Sequence, residues 1–161
     1  MTRLDDAILG LAEWGIYEVD YYNPLNLDYV VDSITDNVNI EFKATEGKKD
    51  VSFLSIRVSR EVTVIPVDEE GDPYEFESED AAQDAEIDIV VSGVKIFAAD
   101  PKFDRKMNAM IDSGDIFTEV INNEEMILGD IMSLISSQIS VITGLKGNVP
   151  LITPPNLVKE D

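Results

Sequence analysis

Alternation is clearest in NVNIEFKAT, where Val38, Ile40 and Phe42 take one side and Asn39, Glu41 and Lys43 the other. Successive side chains of a strand point to opposite faces, so this pattern predicts a half-buried strand. After the polar turn EGKKD, 46–50, the stretch VSFLSIRVSREVTVIP predicts a long strand over 51–65. Val51 and Phe53 are out of phase with Ile56 and Val58, so a bulge or bend is expected near Leu54 or Ser59. IDIVVSGVKIFAAD, 87–100, predicts another strand, with Gly93 at a bulge. Near the start, the β-branched and aromatic residues of WGIYEVDYYNP predict a first strand, ended by Pro24. Leu4, Ile8 and Leu11 fall at helical spacing and predict a short helix over 1–13. LNLDYVVDSITD, 25–36, keeps no clean period and reads as a connecting segment with exposed apolar residues.

Between the last two strands lies VDEEGDPYEFESEDAAQDAE, a charged stretch poor in apolar residues, read as an acidic loop over 67–85. From about residue 102 the period becomes helical, with a turn near Ser113–Gly114 and a long helix from roughly 123 to 145, stopped by Gly147 and Pro150. Strands come first and helices last. The expected class is therefore α+β: one domain over 1–161, with a four-stranded antiparallel sheet, a long C-terminal helix packed on it, a short N-terminal helix and an extended tail over 146–161.

The long helix is unusual in its charge. The chain carries formal net charge −21 with 28% charged residues, yet nothing between Asp130 and Lys146 is charged. At the average density about four charges would fall in that interval. Leu128, Ile131, Leu134/Ile135, Ile139, Ile142 and Leu145 share one side of the helical wheel and make the core face. The opposite side presents Gly129, Ser133, Ser136, Ser137, Ser140, Thr143 and Gly144 where a wet helix face would carry Lys, Glu or Arg. Small hydroxyl residues let another backbone approach, either from the same chain or from a second subunit. Only fifteen residues follow Lys146, which favours a subunit interface through Ser133, Ser136, Ser137, Ser140 and Gly144.

Composition narrows the chemistry. The chain has no cysteine and no histidine, which removes thiolate sites, disulfides and the usual base near neutral pH. The start, MTRLDDAILGLAEW, has acids in its first apolar run and no basic leader, so a secretory signal is not expected, and the expected setting is the cytoplasm. No uncharged apolar run reaches the ~18 residues of a bilayer span. With 33 acidic against 12 basic residues, attraction to nucleic acid or to an anionic membrane is not expected. Such a charge serves solubility, or draws a basic partner or basic unfolded chains.

These features together resemble the SecB family of bacterial export chaperones. MILGDIMSLISSQISVITGL resembles that family's long helix, which opens on an Ile-Leu pair and closes in a Ser/Thr-rich run ending at Gly-Leu. VPLITPPNL, 149–157, resembles the Pro-Pro and Asn-Phe segment that follows it. YEVDYYNP, NIEFKAT, VSFLSIRVSREVTVIP and AEIDIVVSGVKIF fall where the family places its four strands. The family's Phe-Pro-Tyr element is replaced by Gly129-Asp130-Ile131, and nothing past Leu157 matches its second helix and acidic tail.

The resemblance implies an ATP-independent holdase without cofactor or metal. It would assemble as a dimer or tetramer, bind unfolded polypeptide or preprotein, and have a translocase component as a further partner. Client grooves in the family lie between the long helix and the connection after the first strand. Here that connection is NPLNLDYVVDSI, so Leu25, Leu27, Tyr29 and Val30 are the client-contact candidates, with ordinary packing under a loop as their other explanation. A second function on the same fold is an interaction protein dedicated to one partner, such as a toxin or a phage-encoded assembly factor. An enzyme is not expected. Asp112 and Asp115 could pair, but DSGDIFTEVINNEE lacks the spacing and glycine of a calcium loop, and the glycines form no phosphate loop.

Overall fold

A computed structural model of the chain describes residues 4–44, 51–145 and 149–158. The order of elements is α1 (Leu4–Ala7), β1 (Ile8–Tyr22), β2 (Asp28–Ala44), β3 (Ser52–Val67), α2 (Glu79–Asp84), β4 (Asp88–Ala99), a 3-10 turn (Pro101–Phe103), α3 (Asp104–Ser113), α4 (Asp115–Asn122) and α5 (Glu124–Thr143). The four strands form one antiparallel sheet in the order β1-β4-β3-β2, and α5 lies across β4 and β1. The α+β class, the antiparallel sheet and the long C-terminal helix thus match the expectation from sequence.

The sheet buries one face. On β3, Leu54, Ile56, Val58 and Val62 are buried, and on β4, Ile89, Val91 and Phe97. They meet Leu128, Ile131, Met132, Ile135 and Ile139 of α5, with Met107 of α3 and Ile116 and Val120 of α4 closing the cluster. Each large aliphatic removed from water contributes roughly 2 kcal/mol. Lys95, on the same face of β4, is nearly buried and donates from Nζ to Asp130 Oδ1 (3.0 Å) and to the Ile127 carbonyl (2.7 Å). This ties the first turns of α5 to the sheet. Gly114, at φ +82°, makes the left-handed corner between α3 and α4 that an L side chain would strain.

Several local expectations are corrected. The first helix stops at Ala7, and Ile8–Tyr22 is one strand, so of the helix predicted over 1–13 the described part is helix only over Leu4–Ala7 and strand from Ile8 onward. The segment 25–36 is a connection only as far as Leu27; the rest belongs to β2. No bulge falls near Leu54 or Ser59, because β3 stays in register with both neighbours there. The phase is carried by Leu54, Ile56, Val58, Arg60 and Val62, and Phe53 points to the other face. Gly93 is not a bulge either. The irregularity lies across from it on β1, between Ile16 and Glu18, while Gly93 itself makes room for α5. A Cβ there would sit 2.7 Å from both Cγ1 and Cδ1 of Ile131. The acidic segment read as a loop holds α2, capped by Ser78 Oγ, which accepts from the Ala81 amide at 3.1 Å. The EGKKD turn and Gly147 lie outside the described residues.

β1 and β2 are the two edges of the sheet yet follow each other in the chain. Their link crosses from one to the other over residues 23–27 in a tight turn, with the Asn26 amide donating to the Asn23 carbonyl at 3.1 Å. The crossing is held by Asn23, whose side chain donates to the Leu27 carbonyl (2.9 Å) and accepts from the Leu27 amide (3.1 Å), with Asn26 at φ +50°.

Candidate functional surface: an apolar belt on the first edge strand

Nine large apolar residues between Leu9 and Val31 are at least 40% exposed: Leu9, Leu11, Trp14, Tyr17, Val19, Tyr22, Leu25, Val30 and Val31. Isolated exposed apolar side chains are ordinary. Here six of the nine, Leu9 to Tyr22, are gathered on β1 with Leu25 just after it, while Val30 and Val31 lie on β2 at the opposite edge. Such a gathering on one edge strand suits a binding surface. The register explains why these residues lie outside. β1 shifts register between Ile8 and Gly10, between Leu11 and Glu13, and between Ile16 and Glu18. Each shift adds a residue, Leu9, Ala12 or Tyr17, that has no partner on β4. Leu11, Trp14 and Val19 pair with Phe97, Lys95 and Val91, so they share the helix-covered side, but at the edge they stay half-exposed. On the open side, Tyr17 lies under the Arg57 guanidinium, 5.6 Å from its ring centre.

The four client candidates are divided by the structure. Leu25 is 54% exposed on the crossing, and Val30 is 50% exposed on the open face opposite Ile65. Leu27 and Tyr29 pack against the core instead. Burial, then the adjoining Tyr21 phenol, pushes the Tyr29 phenol well above the usual tyrosine range, so it stays neutral. The belt on β1 was not a sequence-derived candidate. Its signal was present in the dense aromatic and β-branched residues of 14–22, which exceed what one buried face needs.

The interface candidates on α5 are also divided. Ser136 Oγ donates to the Thr153 carbonyl at 2.7 Å, and a Cβ on Gly144 would fall 2.8 Å from Pro150. The chain's own tail therefore covers that flank. Buried Thr143 accepts from the Leu151 amide at 2.8 Å and belongs to the same seam. Ser133 and Ser137 remain exposed and Ser140 half-buried, in line with exposed Val141 and Leu145. Leu145, assigned to the core stripe from sequence, is 56% exposed. Taken alone, α5 is long and apolar enough to cross a membrane, but its inner face is packed in the core.

Arg60, which sequence reasoning also missed, anchors the tail. It is fully buried and pairs in a fork with Asp36, Nε to Oδ1 and Nη2 to Oδ2, both at 2.8 Å. Its remaining donors reach Thr153 Oγ1 (3.1 Å), the Pro154 carbonyl and the Asn156 carbonyl (2.7 Å). Asp36 in turn accepts from the Val158 amide at 2.8 Å. All five guanidinium N–H groups are thereby engaged.

Of two cavities, the first is away from β1 and the second lies beside it. One of about 600 Å³ sits between the α4–α5 corner and the tail, lined by Ile121, Glu124, Glu125, Met132 and Asn156 among others. A second, about 400 Å³, opens on the uncovered sheet face over Ala12, Phe53 and Ile96, with Glu13, Lys43 and Arg57 around them. No group of acidic side chains among the described residues is arranged to hold a metal ion. No family model, curated protein or solved structure matches the chain.

Proposed function

We propose that the protein is an ATP-independent holdase of the kind the SecB-like sequence features imply, binding unfolded polypeptide or preprotein in the cytoplasm. The observation that supports this reading is the set of exposed apolar residues Leu9, Leu11, Trp14, Tyr17, Val19 and Tyr22 on β1, with Leu25 just after it, on a body of net charge −21. Unfolded chains present apolar side chains, and an apolar surface is what gains by meeting them. The acidic remainder keeps the loaded complex apart from its copies and draws basic clients. An edge strand adds unpaired backbone groups that an extended client can pair with.

The test is suppression of aggregation by light scattering, with several unrelated unfolded proteins. The wild type is expected to protect more than one of them. The triple variant Trp14→Ser, Val19→Ser, Leu25→Ser is expected to lose most of that protection with its far-ultraviolet circular dichroism unchanged. Unaltered protection by a folded triple variant would overturn the reading. Protection of a single protein would favour an interaction protein dedicated to one partner.

The same reading includes self-association through the outer line of α5, Ser133, Ser137, Val141 and Leu145, which the tail leaves uncovered. Like faces meeting across a two-fold axis would make one substitution act twice. Ser137→Arg is expected to reduce the mass seen by light scattering at equal concentration, with the fold retained. A wild type that is monomeric at high micromolar concentration would exclude this interface.

A further inference from the structure

The tail 149–158 lies on the body as a bound peptide would. It is extended, with no helix or strand of its own, and carries no charged residue: VPLITPPNLV. The body holds it through its backbone at six points. Thr143 Oγ1, Glu124 and Asp36 accept from the amides of Leu151, Leu157 and Val158, at 2.8, 3.1 and 2.8 Å. Ser136 and Arg60 donate to the carbonyls of Thr153, Pro154 and Asn156. Leu157 and Thr153 supply the buried side chains, 6% and 2% exposed. Backbone bonds of this kind give affinity for an extended chain with little regard to its sequence, and alternate pockets give selectivity.

Arg60 argues that this groove is not left empty. Without the tail, the guanidinium keeps Asp36 but exchanges three protein acceptors for water, losing charge-assisted bonds made out of solvent. An equivalent extended chain restores all three. The 600 Å³ cavity beside Pro155 and Asn156 leaves room for a side chain larger than asparagine, and Glu125 on its wall suits a basic one.

We propose that the groove between α5 and the β2–β3 edge of the sheet is a peptide-binding site, filled in cis by residues 149–158. Its partner ligand is an extended, proline-containing apolar segment bearing Lys or Arg at the place of Asn156. The site is separate from the β1 belt and does not depend on holdase activity.

The test uses the full chain and two labelled, end-blocked peptides, VPLITPPNLV and VPLITPPRLV, followed by fluorescence anisotropy. In the wild type the tethered tail competes at an effective concentration near millimolar, so binding is weak. Leu157→Ala loosens the tail without touching the groove, and is expected to raise the affinity for both peptides about tenfold, because the open fraction rises. Thr153→Ala gives the same direction by a milder route and serves if Leu157→Ala does not fold. The arginine peptide is expected to bind several-fold tighter than the asparagine one. Absence of binding to a folded tail variant at millimolar peptide would overturn the site, and equal binding of the two peptides would overturn its basic specificity. A tail variant with lost aggregation suppression but intact peptide binding would leave this site standing and count only against the belt.

Discussion

Arg60→Ala is expected to destabilise the protein by about 3–5 kcal/mol, the cost of removing one partner of a buried ion pair. Asp36 would be left as a carboxylate whose side chain is 1% exposed, without its fork partner. Thr153 Oγ1 and the carbonyls of Pro154 and Asn156 would lose their donor as well. For a chain of this size the loss corresponds to a fall in Tm on the order of 10 °C. Arg60→Lys is expected to recover little, because an ammonium has three donors and no planar fork, against the five that Arg60 uses. The double variant Arg60→Ala, Asp36→Ala should be less harmed than the two single losses summed, since no unpaired charge remains. Chemical denaturation measures all three. A cost below about 1 kcal/mol for Arg60→Ala, the range of an exposed pair, would mean that the clasp is open in solution.

Gly93→Val is expected to cost about 2–3 kcal/mol despite valine's better strand propensity, which offsets at most about 1 kcal/mol. The reason is local. The new Cβ alone meets Ile131 at 2.7 Å, and the branched methyls would press further into the same side chain. Either Ile131 leaves its rotamer or α5 lifts from β4, loosening the Lys95–Asp130 tie one turn away. Shrinking the other partner relieves the clash, so Gly93→Val with Ile131→Ala should recover part of the loss. A neutral or stabilising Gly93→Val would show that α5 is not seated on β4 at this point.

Stretches with regular alternation were legible, and strands with bulges were legible only in part: 14–22 reads as strand and is in β1, whereas 8–13 reads as helix and is strand too. In 38–43 and along β4 the period of two is intact, and sequence places them within a residue or two. β1 is different. Its helix-side positions are Ile8, Leu11, Trp14, Ile16, Val19 and Tyr21, because Leu9, Ala12 and Tyr17 are inserted into the register. Spacings of three then imitate a helix, which is how Leu4, Ile8 and Leu11 came to predict one. On β2 the extra residue is Asp32, between Val31 and Ser33, and it hides the phase of Tyr29, Val31, Ile34 and Val38. Arg60 stands in phase with Val58 and Val62, a charge on a buried face, and that was the readable sign of the clasp.

The tail's cover over one flank of α5 is hidden by length. Fifteen residues seem few beside a helix of 20, but a helix rises 1.5 Å per residue and an extended chain ~3.3 Å. Ten extended residues therefore match its whole ~30 Å length. The neutrality of the segment has two sources: Ser136, Thr143 and Gly144 face the tail, while Ser133 and Ser137 do not.

Trp14 allows the proposed belt to be watched directly. It is the one tryptophan of the chain and is 43% exposed in the middle of β1. Titration with a permanently unfolded polypeptide lacking tryptophan is expected to shift its emission to shorter wavelength and to saturate, as client side chains replace water around the indole. The shift should persist when the protein is diluted at fixed client, which separates client contact from self-association. Emission that stays unchanged while the polypeptide is held in solution would place client binding away from β1, and unchanged emission with no binding at all would contradict the holdase reading itself.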